Sequence, residues 1–162
     1  MIQTPGPHHY HFITKWRVRG DIDLAYDLLN DLLHYTNWWR NVPLRIEEIK
    51  SADAKGLNQI VRFEMRTPLF YTLRWELRGI ESNKPYRLVS EASGDLWGRG
   101  IWTFQKSGDL IDIMFDWEVS LEKRWLRIFS SILRPVFVWS HDLVMKKWEE
   151  SFRSELKKRM GD

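Results

Sequence analysis

Two stretches of this sequence follow different periods: IMFDWEV at residues 113–119 and PVFVWSHDLVMKKWEESF at residues 135–152. In the first, apolar side chains occupy every second position, which places them on one face of a β-strand. In the second, apolar residues from Phe137 to Phe152 recur at intervals of three and four, the period of one helix face. Together the patterns predict a sheet with one apolar face and a terminal helix that covers it.

The alternating period extends over most of the chain before residue 121. Strands are predicted near residues 11–18, 44–51, 58–67, 70–81, 86–94, 99–106 and 110–120. The breaks between the last six are short and contain turn-forming residues, as at Thr67-Pro68 and Ser107-Gly108-Asp109. Short breaks favour antiparallel strands joined by hairpins.

Helices are predicted on both sides of these strands. Asp21 or Asp23 supplies a carboxylate to begin a helix that ends near Leu33, and a second short helix carries Trp38 and Trp39. Residues 121–133 form a further helical candidate, which would cover Trp139 of the terminal helix. Pro135 then fits the first turn of that terminal helix, where its missing N–H does no harm.

The composition is that of one compact domain with a large aromatic content. The 162 residues include ten tryptophans, eight phenylalanines and five tyrosines, and no cysteine. We expect one domain over residues 1–162, with residues 1–7 a flexible lead-in that has no secretion signal. Without cysteine there is no disulfide chemistry, and a cytoplasmic location is the simpler expectation.

The charges are mixed in sign along the predicted strands. Arg62, Arg74 and Arg78 alternate with Glu64 and Glu76, and the whole chain carries a net charge of +3. A nucleic-acid-binding protein would cluster its bases on one face, so we expect no nucleic-acid partner. The mixed charges are typical of a solvated sheet face.

Three segments, together with the order of elements, resemble a known family. They are residues 38–42 (WWRNV), residues 94–100 (GDLWGRG) and residues 140–145 (SHDLVM). This pattern is similar to the SRPBCC superfamily, the START-like helix-grip proteins, and most of all to its polyketide cyclase/dehydrase-like branch. The resemblance implies an α+β helix-grip fold, with a curved antiparallel sheet of about seven strands around a long C-terminal helix. It also implies a deep apolar cavity, which different members use for lipids, polyketides, hormones or catalysis.

His141 is the sharpest candidate for chemistry. On a helical wheel it lies between Phe137, Val144 and Trp148, so its side chain is predicted to point inward. A histidine there can anchor a polar ligand group or act as an acid or base, and burial favours its neutral form. In the catalytic interpretation Asp95 or Glu91 assists it. The structural alternative, a hydrogen-bonded core histidine, is preferred.

A ring of mainly aromatic residues is predicted to line the cavity. With His141, the predicted ligand-binding residues are Tyr71, Trp75, Ser90, Arg99, Trp102, Phe104, Phe115, Trp117, Phe137, Val144 and Trp148. Plain core packing is the alternative for the aromatic residues. Asp95 and Arg99 are expected either to pair near the cavity mouth or to serve as ordinary turn residues.

No metal or cofactor is expected. His8, His9 and His11 do not match a metal-site spacing, and no serine lies in a nucleophile-elbow sequence. We therefore predict binding or carriage of a small hydrophobic molecule of lipid, polyketide or aromatic type. A cyclase/dehydratase-like enzyme is the first alternative. A membrane-surface or protein-association module that uses the basic segment 121–134 is the second and less favoured one, and a homodimer is left open.

Overall fold

The computed structural model describes residues 8–40, 42–67, 70–122 and 124–161, with the backbone alone at 125–127 and 129–131. The predicted lead-in, residues 1–7, lies outside the described residues. The elements are β1 (His9–Arg19), α1 (Ile22–Asn30), a 3-10 turn (Leu32–His34), α2 (Tyr35–Trp38), β2 (Leu44–Lys50), β3 (Ile60–Arg66), β4 (Thr72–Asn83), β5 (Arg87–Gly94), β6 (Leu96–Ser107), β7 (Leu110–Leu121) and α3 (Arg124–Met160).

The strands form one seven-stranded antiparallel sheet. Its order is β1-β7-β6-β5-β4-β3-β2, so each strand from β2 to β7 pairs with its neighbour in sequence. The first strand joins the last, with Trp16 opposite Ile113 and His9 opposite Ser120. The predicted antiparallel hairpins and the α+β helix-grip architecture are confirmed.

The core lies between the inner face of this sheet and α3. The helix buries five large apolar side chains at intervals of three to eight residues: Phe137, Met145, Trp148, Phe152 and Leu156. Burial of one such side chain contributes roughly 1.5–3 kcal/mol, so this face accounts for much of the attachment of the helix. The periodicity that predicted a covering helix thus describes its buried face.

The first helix begins where the sequence places a capping residue. The Asp21 carboxylate accepts a hydrogen bond from the backbone N–H of Leu24 at 3.0 Å, and Asp21 is the N-cap. The helix ends at Asn30, before the predicted Leu33, and a 3-10 turn follows. The hydroxyl of Tyr35 donates to the Leu29 carbonyl near that end, which satisfies one of the free carbonyls of α1.

The prediction of a separate helix at residues 121–133 is wrong. Leu121 is the last residue of β7, and α3 runs without interruption from Arg124 to Met160 with Pro135 inside it. A proline removes one backbone hydrogen bond from a helix, and here the turns on either side remain helical. Because a continuous helix cannot fold back on itself, residues 124–133 do not cover Trp139.

Trp139 belongs to an exposed apolar stripe on the first half of α3. Ile128, Ile132 and Trp139 are 65%, 78% and 54% exposed. Their spacings of four and seven residues place them on one side of the helix, opposite Phe137 and Val144. We call these three residues the outer stripe. Among the described residues, no helix is long and apolar enough to cross a membrane.

The outer face of the sheet carries the mixed charges expected from the sequence. Arginines on β3 and β4 pair with glutamates on neighbouring strands: Arg62 with Glu76 at 2.7 Å, Arg74 with Glu64 at 2.6 Å and Arg78 with Glu91 at 2.7 Å. These pairs are exposed, so each stabilises the fold by only about 0–1 kcal/mol. Their positions nevertheless show which face of each strand meets water.

Candidate functional site

A cavity of about 180 Å³ lies between the inner face of the sheet and α3. Aromatic rings dominate its deep part: Tyr35, Trp39, Phe63, Trp75, Trp102, Phe115, Trp117 and Trp148. Toward the loop between β2 and β3 the lining becomes smaller and more polar, with Gly56, Leu57, Gln59 and Gly79. The exposed Gly56 places the mouth of the cavity at this loop.

Trp148 stands at the centre of the aromatic part. Its ring stacks on that of Trp39, with centroids 4.6 Å apart and planes at 16°. It meets the rings of Trp16, Tyr35 and Trp102 edge-on at 5.2–5.7 Å. Aromatic pairs of this kind are worth about 0.5–1.5 kcal/mol each beyond the area they bury, so the wall around Trp148 is rigid.

His141 lines the same cavity from α3, one helical turn before Met145. Its side chain is 18% exposed, and its ring stacks on Phe12. The Nδ1 atom lies 3.5 Å from a carboxylate oxygen of Asp142, at the limit of a hydrogen bond. Burial lowers the pKa of His141 below its usual value, and the nearby Asp142 opposes this shift only partly. The imidazole is therefore neutral at pH 7 and can donate one hydrogen bond and accept another.

Two tryptophans of the lining carry buried donors without partners. The indole Nε1 atoms of Trp39 and Trp148 are buried, and no described residue accepts a hydrogen bond from either. Buried donors are nearly always paired in native proteins. Tyr35 differs from these tryptophans, because its hydroxyl is already bonded to Leu29, and burial raises its pKa.

Most of the predicted ligand-binding residues come together around this cavity. Those in its lining are Trp75, Ser90, Trp102, Phe115, Trp117, His141, Val144 and Trp148. They come from β4, β5, β6, β7 and α3, so five elements contribute to the wall.

Three predicted aromatic residues lie elsewhere in the core. Phe137 is buried against the edges of Tyr10 and Tyr71, at centroid distances of 6.2 Å and 6.5 Å. Phe104 packs on Tyr26 of α1 at 5.5 Å. Tyr71, Phe104 and Phe137 all lie outside the described lining of the cavity. For these residues the structure corresponds to the core-packing alternative.

Glu91 and Arg99 require a correction. Both lie on the outer face of the sheet, because their neighbours Ser90 and Gly100 face inward and side chains alternate along a strand. Glu91 is exposed and its carboxylate pairs with Arg78. Neither residue lies in the described lining of the cavity, so Glu91 is not placed to assist His141 and Arg99 is not placed to contact a ligand there.

Asp95 occupies the turn between β5 and β6. Its carboxylate accepts a hydrogen bond from the backbone N–H of Arg74 at 2.9 Å, and its own N–H donates to the Arg74 carbonyl at 2.8 Å. The carbonyl of Asp95 accepts from the N–H of Glu122. Asp95 thus ties the turn to β4 and to the end of β7, outside the described lining of the cavity. This geometry is that of a turn residue.

Two glycines of β6 allow close packing at the cavity wall. A Cβ atom at Gly98 would lie 1.9 Å from the carbonyl oxygen of Glu118, so the two strands approach closely there. A Cβ atom at Gly100 would lie 2.8 Å from the ring of Trp117 and 2.9 Å from the ring of Phe115. The space that a side chain at Gly100 would occupy is therefore filled by the rings of Phe115 and Trp117, which line the cavity.

Trp39 is the main site residue that the sequence analysis did not select. It follows Trp38 directly. The helix at whose end both residues lie is too short for a repeating pattern to show which of the two side chains points toward the cavity. In the structure Trp38 packs on Phe152, whereas Trp39 stacks on Trp148 and lines the cavity. Tyr35 and Phe63 are further lining residues outside the predicted set.

The loop at the mouth is held by one aspartate. The carboxylate of Asp53 accepts hydrogen bonds from the backbone N–H groups of Lys55 and Leu57 and from the side-chain amide of Asn58. These bonds, above all that from Asn58, lower the pKa of Asp53. The mouth is thus formed by a loop that has its own internal hydrogen bonds.

Histidine and carboxylate groups do not converge in a manner suited to a metal. In residues 8–40, 42–67, 70–122 and 124–161, no group of three or more such side chains is arranged to hold a metal ion. His9 bonds to Ser120 at 3.0 Å and His11 to Asp116 at 2.8 Å, so the two bond to different partners.

Solved structures share this arrangement of sheet and helix. A START superfamily protein from Mycobacterium smegmatis aligns with a TM-score of 0.72 at 9% identity, over 91% of this chain and 97% of its own. The Zhui aromatase/cyclase from Streptomyces sp. R1128 aligns with a TM-score of 0.71 at 12% identity, over 94% and 96%. The chain has the START-like helix-grip fold.

A plant enzyme also shares the helix-grip fold. A norcoclaurine synthase from Thalictrum flavum aligns with a TM-score of 0.65 at 10% identity, over 94% of this helix-grip protein and 96% of the synthase. No family model and no curated protein sequence matches the chain. At such identities the likeness concerns the fold alone, and the function must be argued from the cavity.

Proposed function

We propose that this helix-grip protein binds and carries a small, largely apolar molecule that contains a ring. The observation that carries the proposal is the aromatic cavity of about 180 Å³ between the sheet and α3. An engineered apolar cavity of about 150 Å³ holds benzene, whereas pockets for drug-sized ligands measure roughly 300–1,000 Å³. The cavity therefore suits one or two fused rings better than a long lipid chain.

The free energy of an empty cavity supports an occupant. At about 24 cal/mol per Å³, a void of this size costs about 4 kcal/mol, which is a large part of the stability of a typical domain. A bound molecule that fills the space recovers this free energy. Solved proteins of the same fold, among them an aromatase/cyclase and a START superfamily protein, are consistent with a small-molecule ligand.

The test is calorimetric binding of indane to the purified protein and to two tryptophan variants. Trp117→Leu removes a ring from the cavity wall, whereas Trp97→Leu removes an exposed ring from the outer face. We expect Trp117→Leu to weaken binding about tenfold, or about 1.4 kcal/mol, with no change for Trp97→Leu. The proposal would be refuted if indane did not bind the parent protein, or if it bound both variants with equal affinity.

A cyclase- or dehydratase-like enzyme is the second candidate, and His141 is the observation that favours it. This histidine lines the cavity, is neutral at pH 7 and has only a long contact to Asp142 among its hydrogen bonds, so its unprotonated nitrogen could serve as a general base. Without Glu91 or Asp95 in the lining, it would act alone on a bound substrate. A His141→Gln variant that retains ligand binding and loses turnover of a cyclisable ketone would support catalysis, whereas equal turnover would exclude it.

Contact with an anionic lipid surface is a third candidate, supported by the outer stripe. Ile128, Ile132 and Trp139 face away from the protein, and residues 121–139 carry four bases and one acid, for a net charge of +3. Apolar side chains flanked by bases are typical of helices that lie on such surfaces.

Co-sedimentation with vesicles of phosphatidylserine and phosphatidylcholine tests this contact. We expect binding at low salt that weakens at high salt and falls at least fivefold in Ile132→Asp. Ile13→Asp, on the exposed face of β1, is the matched control and should bind as the parent does. Absence of binding, or dimerisation through α3 in sedimentation equilibrium, would refute the contact with lipid.

A further inference from the structure

Strand β2 lies at one edge of the sheet and leaves part of its backbone unpaired. The N–H of Arg66 on β3 donates to the carbonyl of Pro43 at 3.0 Å, which fixes the alternation of hydrogen bonds between the two strands. Along an antiparallel edge strand, every second residue directs its N–H and C=O groups away from the neighbouring strand. In β2 these residues are Leu44, Ile46 and Glu48. No other strand of the described chain pairs with β2, so these groups are open to a strand from another molecule.

Side chains of opposite charge flank the middle of β2. Arg45 and Glu47 are exposed on the outer face of the sheet, one on each side of the half-buried Ile46. Within the described residues Arg45 forms no ion pair, and the Glu64 that lies opposite it on β3 is paired with Arg74 at 2.6 Å. The edge therefore presents a cation without a partner two residues from an anion.

These charges select one symmetric pairing of two β2 strands. Residues of an antiparallel pair lie directly opposite one another, so a symmetric pairing is centred on a single residue. A centre at Arg45 or at Glu47 places two like charges face to face, which is destabilising. A centre at Ile46 places Arg45 of each copy opposite Glu47 of the other. The same centre joins the open backbone groups of Ile46 to each other and those of Leu44 to those of Glu48.

The other edge strand, β1, has no such complementarity. Residues 9–19 (HYHFITKWRVR) contain no carboxylate, and the exposed side chains of Lys15, Arg17 and Arg19 are basic. Two β1 strands side by side would bring bases together, and charged edges of this kind protect a sheet against pairing. Complementarity to a second copy is thus a property of β2 and not of both edges.

We propose that two copies of this protein associate through β2, in an antiparallel pairing centred on Ile46 that joins their sheets into one. The pairing gives the open backbone groups their hydrogen bonds. It sets Arg45 against Glu47 at positions where the Cα atoms are only about 4.5 Å apart, so the side chains can meet. An edge of this length buries less area than a standard interface, so the dimer should be weak. The proposal is independent of the ligand in the cavity.

Sedimentation equilibrium at protein concentrations up to about 0.5 mM measures the association of the parent and of charge-reversal variants. Arg45→Glu opposes two carboxylates at each outer-face pair, and Glu47→Arg opposes two guanidinium groups. We expect either variant to weaken dimerisation at least about fivefold, and the combined Arg45→Glu/Glu47→Arg variant to recover it. Lys15→Glu changes the charge of the β1 edge as Arg45→Glu changes that of β2, and this matched control should dimerise as the parent does.

Glu47 also contacts Arg62 of its own chain at 3.5 Å, so thermal denaturation should first confirm that each variant keeps the fold of the parent. A parent that stays monomeric would overturn the proposal. So would single reversals that dimerise as tightly as the parent, or a combined variant that dimerises as weakly as the single ones.

Cysteine pairing tests the register, because the chain has no cysteine of its own. In the proposed pairing residue 45 of one copy lies about 4.5 Å from residue 47 of the other, within the reach of a disulfide. Equivalent positions of the two copies lie on diagonals of about 7–8 Å, too far apart for one. Under mild oxidation an equimolar mixture of Arg45→Cys and Glu47→Cys should form a covalent dimer faster than either variant alone. Equal rates would contradict the register centred on Ile46.

Discussion

The imidazole of His141 lies parallel to the ring of Phe12, with centroids 3.7 Å apart and planes at 10°. This stack joins the middle of α3 to β1, at one side of the cavity. It holds the imidazole in one plane, so only the two nitrogen edges of the ring are open to other groups. His141 is thus oriented by the fold before any ligand binds.

The stability of the fold should depend on pH through His141. Burial lowers its pKa below 6.5 in the native state, so the unfolded chain binds a proton first as the pH falls. The unfolding free energy should therefore decrease from pH 7.5 to pH 5, and by less in His141→Phe, which cannot be protonated. Urea titrations of both proteins across this range provide the measurement, and identical pH dependences would contradict the prediction.

Gly100→Ala should reduce both stability and ligand affinity. The added methyl group meets the rings of Phe115 and Trp117 at 2.8–2.9 Å and must push them toward the cavity. Overpacking of this kind costs about 1–3 kcal/mol, which thermal and urea denaturation will detect. Gly79→Ala is the control for stability alone, since a methyl group there meets no atom within 4 Å but Gly79 also lines the cavity. Unchanged affinity for indane in Gly100→Ala would show that these rings do not limit the cavity.

Asp95→Ala should affect stability without affecting the ligand. It removes the acceptor of the Arg74 backbone N–H, at a cost of about 1 kcal/mol in unfolding free energy. Affinity for indane should stay within twofold of the parent, because Asp95 lies outside the described lining. Asp95→Asn keeps an oxygen acceptor and should lose less stability. A strong loss of binding or turnover in Asp95→Asn would restore a direct role for this carboxylate.

Asp53→Ala should loosen the mouth of the cavity. It removes three hydrogen bonds from the loop that carries Gly56 and Leu57, so the amide of Leu57 should exchange with solvent faster and a bound ligand should dissociate faster. Asp109→Ala, in the exposed turn between β6 and β7, is the control. Hydrogen exchange and stopped-flow dissociation provide the two readouts, and unchanged rates in Asp53→Ala would contradict this role.

The carboxylate of Asp53 should also make the loop at the mouth sensitive to acid. Its pKa is lowered in the folded protein, so its stabilising contribution is present above the ordinary value of 3.8 and is lost as the pH falls through the lowered folded value. In the parent, we expect the rate of amide hydrogen exchange at Leu57 to rise only at strongly acidic pH. This rate is first corrected for the intrinsic pH dependence of exchange. The Asp53→Ala variant should lack this rise.

The fold was predictable because its signals are local. The alternation in residues 113–119 and the helical period from Phe137 onward each follow from the geometry of a single element, so β7 and the buried face of α3 could be predicted without knowledge of their partners. The exception was Pro135. Whether a proline ends a helix or lies within it depends on the packing of the turns around it, which no local pattern reports.

The site was only partly predictable. Trp75, Trp117 and His141 were placed in the lining because strand and helix periods separate inner from outer faces. Glu91 and Arg99 were predicted at the site but lie on the outer face, since they are paired with each other one position from the inward-facing pair of Ser90 and Gly100. Trp39 was overlooked, because adjacent aromatic residues at the end of a short helix have no distinguishing period.

By itself the sequence determined which faces of β7 and α3 are apolar and that the terminal helix covers an antiparallel sheet, because periodicity is a property of each element alone. Only the tertiary structure decided that Trp39 stacks on Trp148 and that their N–H groups lack partners in the described chain. It also decided where a cavity remains between the rings. These are relations between side chains distant in sequence, and they depend on how volumes fill a shared space rather than on any local pattern.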